Sequence, residues 1–269
     1  MDSNITYAFA LTLFAGLSTG IGSAIAFLAK RTNTNLLSFS LGLSAGVMVY
    51  ISFVELYSNA ILEMSQLYGS AKGQLYALLA FFGGILLIMA IDFIVPEDDN
   101  PHEIRNVEEI SDAHPKPHSH KKLLRTGLFS AFVLAVHNFP EGMVTFLTAL
   151  HTPTLALPIA IAIAIHNIPE GISVSVPIYY ATGNKKKAFW ISFASGLAEP
   201  VGALIGYLLL QPFLTPSLFA VLNAAIAGIM VYISLDELLP SAEKYGKHHL
   251  AIIGLIVGMA IMGLTLVIL

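Results

Sequence analysis

Two hexapeptides in the middle of the chain, His137-Asn138-Phe139-Pro140-Glu141-Gly142 and His166-Asn167-Ile168-Pro169-Glu170-Gly171, agree at five of six positions. On a helix, His and Glu at i and i+4 stack on one face, with room for a cation between imidazole and carboxylate. The proline removes a backbone donor and frees a carbonyl in the preceding turn, and the glycine lets another backbone approach. Glu199-Pro200 adds a third carboxylate beside a kink. If these segments converge, they offer two imidazoles, three carboxylates and the amide oxygens of Asn138 and Asn167. Three buried negative charges need compensation, and a divalent cation supplies it. Two ions bridged by Glu141 and Glu170 would slightly over-neutralise the carboxylates, which suits transient occupancy. The chain has no cysteine, so thiolate sites are excluded. Nitrogen and oxygen donors without sulfur fit Zn²⁺, Fe²⁺, Mn²⁺, Co²⁺ or Ni²⁺, and fit Mg²⁺ or Ca²⁺ poorly.

The elements that must position these residues are membrane helices. Of 269 residues, 56% are hydrophobic and only 11% charged, against about 25% charged in soluble domains. The net charge of −4 argues against a nucleic-acid partner, which requires a basic face. Apolar runs long enough for about 30 Å of hydrocarbon occur at about 5–29, 35–58, 74–95, 124–150, 155–180, 188–210, 217–240 and 249–268. The expectation is an all-α integral membrane protein with eight spans. The first run is expected to remain as a true span, since no Lys or Arg precedes it and it is too long for a signal-peptide core. Lysine and arginine collect on the cytoplasmic side. With the N-terminus outside, that side holds Lys30, Arg31, Arg105, Lys116, Lys121, Lys122, Arg125, Lys185, Lys186, Lys187, Lys244 and Lys247, and Lys72 alone lies opposite. Both termini are therefore expected to be extracytoplasmic. No Lys or Arg falls in the interior of a span, so none can neutralise the buried carboxylates.

The chain carries an internal repeat. Residues 45–56 and 227–238 are identical at nine of twelve positions, including Tyr50 with Tyr232, Ser52 with Ser234 and Glu55 with Glu237. A weaker echo relates Gly16-Leu17 and Gly22 to Gly196-Leu197 and Gly202. The second and seventh spans run in opposite directions, so the copies are inverted. The expected plan is one transport domain, 1–269, arranged 3+2+3. Helices 1–3 occupy 1–95, a cytoplasmic loop occupies 96–123, the motif-bearing helices 4–5 occupy 124–180, and helices 6–8 occupy 181–269. Inverted repeats are common in alternating-access carriers, with the substrate near the midplane. At about 1.5 Å per residue, His137 is about 20 Å into its span and His166 about 17 Å into the next, at similar depth.

The doubled H-N-x-P-E-G, the eight-helix plan with both termini outside and a His-bearing loop before the fourth span resemble the ZIP (Zrt-, Irt-like) family of divalent-metal transporters. The resemblance covers essentially the whole chain. It implies a binuclear site in which His137, Glu141, His166 and Glu170 hold one ion, while Asn138, Glu141, Asn167, Glu170 and Glu199 hold the other. It implies Zn²⁺ as transported substrate together with Fe²⁺, Mn²⁺, Co²⁺ and Cd²⁺, no permanent cofactor, and a bacterial cytoplasmic membrane as location. Acidic residues near the inner ends of spans, Asp92, Asp236 and Glu237, would face the cytoplasmic exit. Glu55, the repeat mate of Glu237, would lie near the outer mouth. Expected partners are divalent ions and the lipid bilayer, and a homodimer is the assembly considered.

Loop 96–123 places His102, His114, His118 and His120 among seven acidic residues. That composition does not fold alone but binds metal loosely, which suggests sensing or buffering. An enzyme is not expected. Zinc proteases place two His on one turn in H-E-x-x-H, and di-metal oxidases of the bundle type use Glu-x-x-His; neither spacing occurs in the two motifs. A passive metal channel is the nearer alternative to a carrier.

Overall fold

A computed structural model describes residues 3–28, 34–94, 117–151, 153–210, 213, 215–245 and 248–268. No strand occurs among the described residues, and eight helical rods do. They are α1 (Ser3–Leu28), α2 (34–68), α3 (Ser70–Ile94), α4 (Pro117–His151), α5 (Pro153–Thr182), α6 (185–210), α7 (216–245) and α8 (His248–Ile268). Six of the described helices, α1, α2, α3, α6, α7 and α8, are long and apolar enough to cross a membrane by themselves, and α5 contributes a shorter apolar stretch, Ala156–Ile172.

Some boundaries differ from those expected. The second span runs on through Tyr68 and is broken only at Gly69, whose φ of 83° lies in the left-handed region that glycine tolerates. Polar side chains beyond the hydrocarbon do not stop a helix, since its backbone hydrogen bonds remain satisfied internally. The fourth helix begins at Pro117 rather than 124, with proline at a first-turn position where its missing N–H costs nothing. Residues 117–123 are thus helix, not loop, and His118 and His120 fall on it. His102 and His114 lie outside the described residues.

Packing divides the rods into two sets. Helices α1, α4, α5 and α6 pack mainly on one another, and α2, α3, α7 and α8 do likewise. The largest apolar cluster runs along the seam where α2 meets α5, with Met48, Ile51, Ile159, Ile163 and Met230 among its members. The repeat is written into backbone contacts. A Cβ at Gly46 of α2 would come 2.0 Å from the Leu255 carbonyl oxygen of α8, and one at its mate Gly228 of α7 would come 2.1 Å from the Phe81 carbonyl oxygen of α3. The reciprocal contacts, Gly258 on Leu43 and Gly84 on Ala225, keep the same offsets. The α2–α8 pair and the α7–α3 pair are therefore equivalent interfaces, built from small residues that let membrane helices approach closely.

Because the facing atoms are backbone, they cannot rotate away from an added side chain. Gly46→Val and Gly228→Val should each destabilise the fold by about 1–3 kcal/mol or more, seen as a lower thermal midpoint of the purified protein in detergent. A midpoint unchanged in both would refute the paired-interface reading.

Candidate metal-transport site

Helices α4 and α5 pack against each other, which brings the two hexapeptides side by side. Pro140 sits inside α4 without ending it. Asn138, Glu141, His166, Asn167, Glu170 and Glu199 are all buried, none more than 2% exposed. His137 lies on α4, and its side chain is outside the described residues.

The motif glycines set the spacing of the surrounding helices. A Cβ at Gly142 would fall 2.0 Å from the carbonyl oxygen of Glu199, and one at Gly171 would fall 2.0 Å from that of Thr19. In return, Gly202 of α6 lies against the Phe139 carbonyl and Gly22 of α1 against the Ile168 carbonyl. Phe139 and Ile168 occupy the same place in the two hexapeptides. The α4–α6 and α5–α1 contacts are thus copies, and Thr19 stands where its mate has Glu199. The repeat is symmetric in backbone but not in charge: one side brings a carboxylate to the motif and the other a hydroxyl.

Glu199 lies just past a local irregularity in α6. The helix from Lys185 to Gly196 ends at Leu197, which has ψ of −10°, and a new segment runs from Ala198 to Ile205 with Glu199 in its first turn. Pro200 supplies no N–H for the preceding turn, and an acidic side chain is favoured where helix N–H groups are unpaired. Broken helices at midplane sites are a recurring means of bringing polar groups to a substrate in hydrocarbon.

Across helices the side chains form two contacts. His166 Nε2 is 3.1 Å from Glu141 Oε2, linking α5 to α4. Asn167 Nδ2 donates to the Ala15 carbonyl at 2.9 Å and to Glu199 Oε1, linking α5 to α1 and α6. The His–Glu pairing is therefore between motifs, in addition to the i, i+4 stacking expected within each. Glu141 and Glu170 both lie within electrostatic reach of Glu199. Asn138 Oδ1, Asn167 Oδ1 and Glu199 Oε2 are buried without a hydrogen-bond partner, an arrangement that costs about 1–3 kcal/mol per group and leaves lone pairs for a cation. Among the described residues, no three His, Asp or Glu side chains are gathered closely enough to enclose one ion. The described members of the constellation are joined by cross-helix contacts.

The outlying acids fall at the two ends of the bundle. Asp92 Oδ2 accepts from the Tyr232 hydroxyl at 3.3 Å, joining α3 to α7. Asp236 and Glu237 lie on a π-helical stretch, Ser234–Leu238. Glu55 lies on another, Ser52–Tyr57, at the equivalent place in α2, and accepts from Asn59 Nδ2. In both copies the leading serine gives its hydroxyl proton to a carbonyl four residues back, Ser52 to Met48 and Ser234 to Met230, each at 2.7 Å. Such hydroxyl bonds compete with the helix ladder, and π stretches recur at functional sites. The matching sequence of the two copies carried this signal; a search for apolar periodicity passes over it. That search also passes over Asn59, Glu63, Thr148 and Asn223, polar residues that share a cavity with Glu55.

Comparison with known proteins places the chain in a family. The profile described as ZIP zinc transporter matches residues 96–266. The zinc transporter ZupT of Chlorobium chlorochromatii is 54% identical over 266 residues, covering 99% of this chain and 98% of that protein. The ZupT zinc transporter of Lysinibacillus sphaericus is 52% identical with both chains fully covered, and that of Streptococcus mutans is 55% identical over 99% of this chain and 98% of its own length. The chain belongs to the ZIP family and is a multi-pass membrane protein.

Proposed function

We propose that this ZIP-family chain imports divalent transition-metal ions into the cytoplasm, zinc first and Fe²⁺, Mn²⁺, Co²⁺ and Cd²⁺ with it, through a binuclear site at the middle of the bundle. The observation that carries the reading is the pairing across three helices, Glu141 of the first hexapeptide with His166 of the second and Asn167 of the second with Glu199 of α6. One ion is assigned to His137, Glu141, His166 and Glu170. The other is assigned to Asn138, Glu141, Asn167, Glu170 and Glu199. Glu141 and Glu170 bridge the two. Mixed imidazole and carboxylate donors suit borderline divalent metals, and several carboxylates in a dry interior are favourable only with a cation among them. The N- and C-termini are placed outside, so that the lysine-bearing ends lie in the cytoplasm. Asp92, Asp236 and Glu237 then line the exit and Glu55 the entrance.

Because Glu199 serves only the second ion, Glu199→Ala should lower bound zinc from about two ions per chain to about one, measured on the purified protein after equilibrium dialysis. Two ions retained would contradict the two-ion scheme. Deletion of about residues 100–115, which spares α4, should leave zinc uptake within about twofold of wild type, since so polar a segment cannot line a path through hydrocarbon. Loss of uptake in a deletion variant that inserts and purifies normally would make the loop part of the path.

A further inference from the structure

A cavity of about 150 Å³ opens between α2, α4, α5 and α7, with Glu55, Asn59, Glu63, Thr148 and Asn223 among its lining residues and Ile159 at its side. Thr148 lies seven residues beyond Glu141 on α4, and Ile159 seven before His166 on α5. Two helical turns, about 10 Å, therefore separate the cavity from the His and Glu constellation. Glu55, Asn59 and Glu63 recur every fourth residue, so α2 presents them as one stripe.

The donors are of one kind. Every side-chain atom here able to ligate a cation is oxygen, and no Lys, Arg or His is among the lining residues. Three of these oxygens, Glu63 Oε2, Thr148 Oγ1 and Asn223 Oδ1, are buried without a hydrogen-bond partner and come from three different helices. Thr148 is 5% exposed and Asn223 4%. Water could satisfy the hydroxyl and the amide, but it would leave two carboxylates facing one cavity with no counter-charge. The space exceeds what a bare ion needs and suits one that keeps part of its water shell.

We propose that this cavity is an oxygen-only binding site for a hydrated hard divalent cation, separate from the nitrogen-bearing constellation two turns deeper. Oxygen-only donors with retained water favour Mg²⁺, Ca²⁺ and Mn²⁺. The site thus accepts Mg²⁺ and Ca²⁺, for which the imidazole-containing pair is a poor match, together with Mn²⁺, which suits both kinds of donor set. Its position at the mouth rests on the transport reading above, whereas its occupancy does not.

Mn²⁺ is the probe, followed by electron paramagnetic resonance on the full chain in detergent. In a His166→Ala/Glu199→Gln background, which weakens the deeper constellation, one Mn²⁺ per chain should remain bound and millimolar Mg²⁺ should displace it. Adding Glu63→Gln and Asn223→Leu should weaken that Mn²⁺ by about tenfold or more. Glu55→Gln alone, a near-isosteric change, should weaken it in the same direction and serves if the double change impairs folding. The proposal is overturned if no Mn²⁺ remains in the background protein, if Mg²⁺ fails to displace it, or if the cavity substitutions leave it unchanged. Absence of zinc uptake by the wild-type protein would instead count against the transport reading and leave Mn²⁺ binding in the cavity as measured.

Discussion

Replacing Glu141 or Glu170 with alanine is expected to abolish metal uptake, to below about a tenth of the wild-type rate at equal expression. Each carboxylate is assigned to both ions. Glu141 also faces His166 across the α4–α5 seam at 3.1 Å. Removing one member of a buried charged pair costs about 3–5 kcal/mol, and two metal ions would be left with one bridging carboxylate. Radiolabelled zinc uptake above half the wild-type rate in either variant would sink the bridging assignment. Glu141→Gln separates charge from packing: it keeps the volume and should still fail in uptake while unfolding at the wild-type temperature.

Much of the candidate site is legible in the sequence. The hexapeptides stand out because hydrocarbon tolerates ionisable groups only where a partner or a pathway repays them, so His137, Glu141, His166 and Glu170 could not be incidental in otherwise apolar runs. The all-helical membrane fold was legible in the apolar runs, and six of the described helices are long and apolar enough to cross a membrane. What the sequence left unread has physical causes too. The continuation of α2 to Tyr68 breaks the uninterrupted apolar run with Asn59, Glu63, Ser65 and Gln66, while Ala60 and Met64 keep one face of it buried. The pairing of Glu141 with His166 across the seam depends on how α4 and α5 are rotated, which Gly142 and Gly171 set through the backbones of Glu199 and Thr19. The cavity escaped notice because Thr148 and Asn223 are single polar residues in apolar helices; only their meeting with the stripe on α2 gives them a role.

The second large effect concerns access. Leu56 lines the cavity at one end of the bundle, and its repeat mate Leu238 is buried in α7 near the other, each 3% exposed. With no native cysteine, Leu56→Cys and Leu238→Cys each introduce a single thiol at matched places on the π stretches of α2 and α7. In a carrier built from inverted repeats, the two ends exchange conformations. Conditions that raise labelling of the thiol in Leu56→Cys should lower it in Leu238→Cys, by about tenfold if a metal moves the population from one state to the other. Labelling that rises and falls together across metal conditions would refute alternating access and favour a channel open at both ends.

The central claim, that the paired hexapeptides pass divalent metal across a membrane, is tested most directly by radiolabelled zinc uptake into proteoliposomes containing only this chain, with Fe²⁺, Mn²⁺, Co²⁺ and Cd²⁺ as competitors. The predicted result is saturable zinc uptake that each competitor reduces and that Glu141→Ala eliminates. Uptake no greater than in protein-free liposomes, or uptake that Glu141→Ala leaves intact, would contradict it.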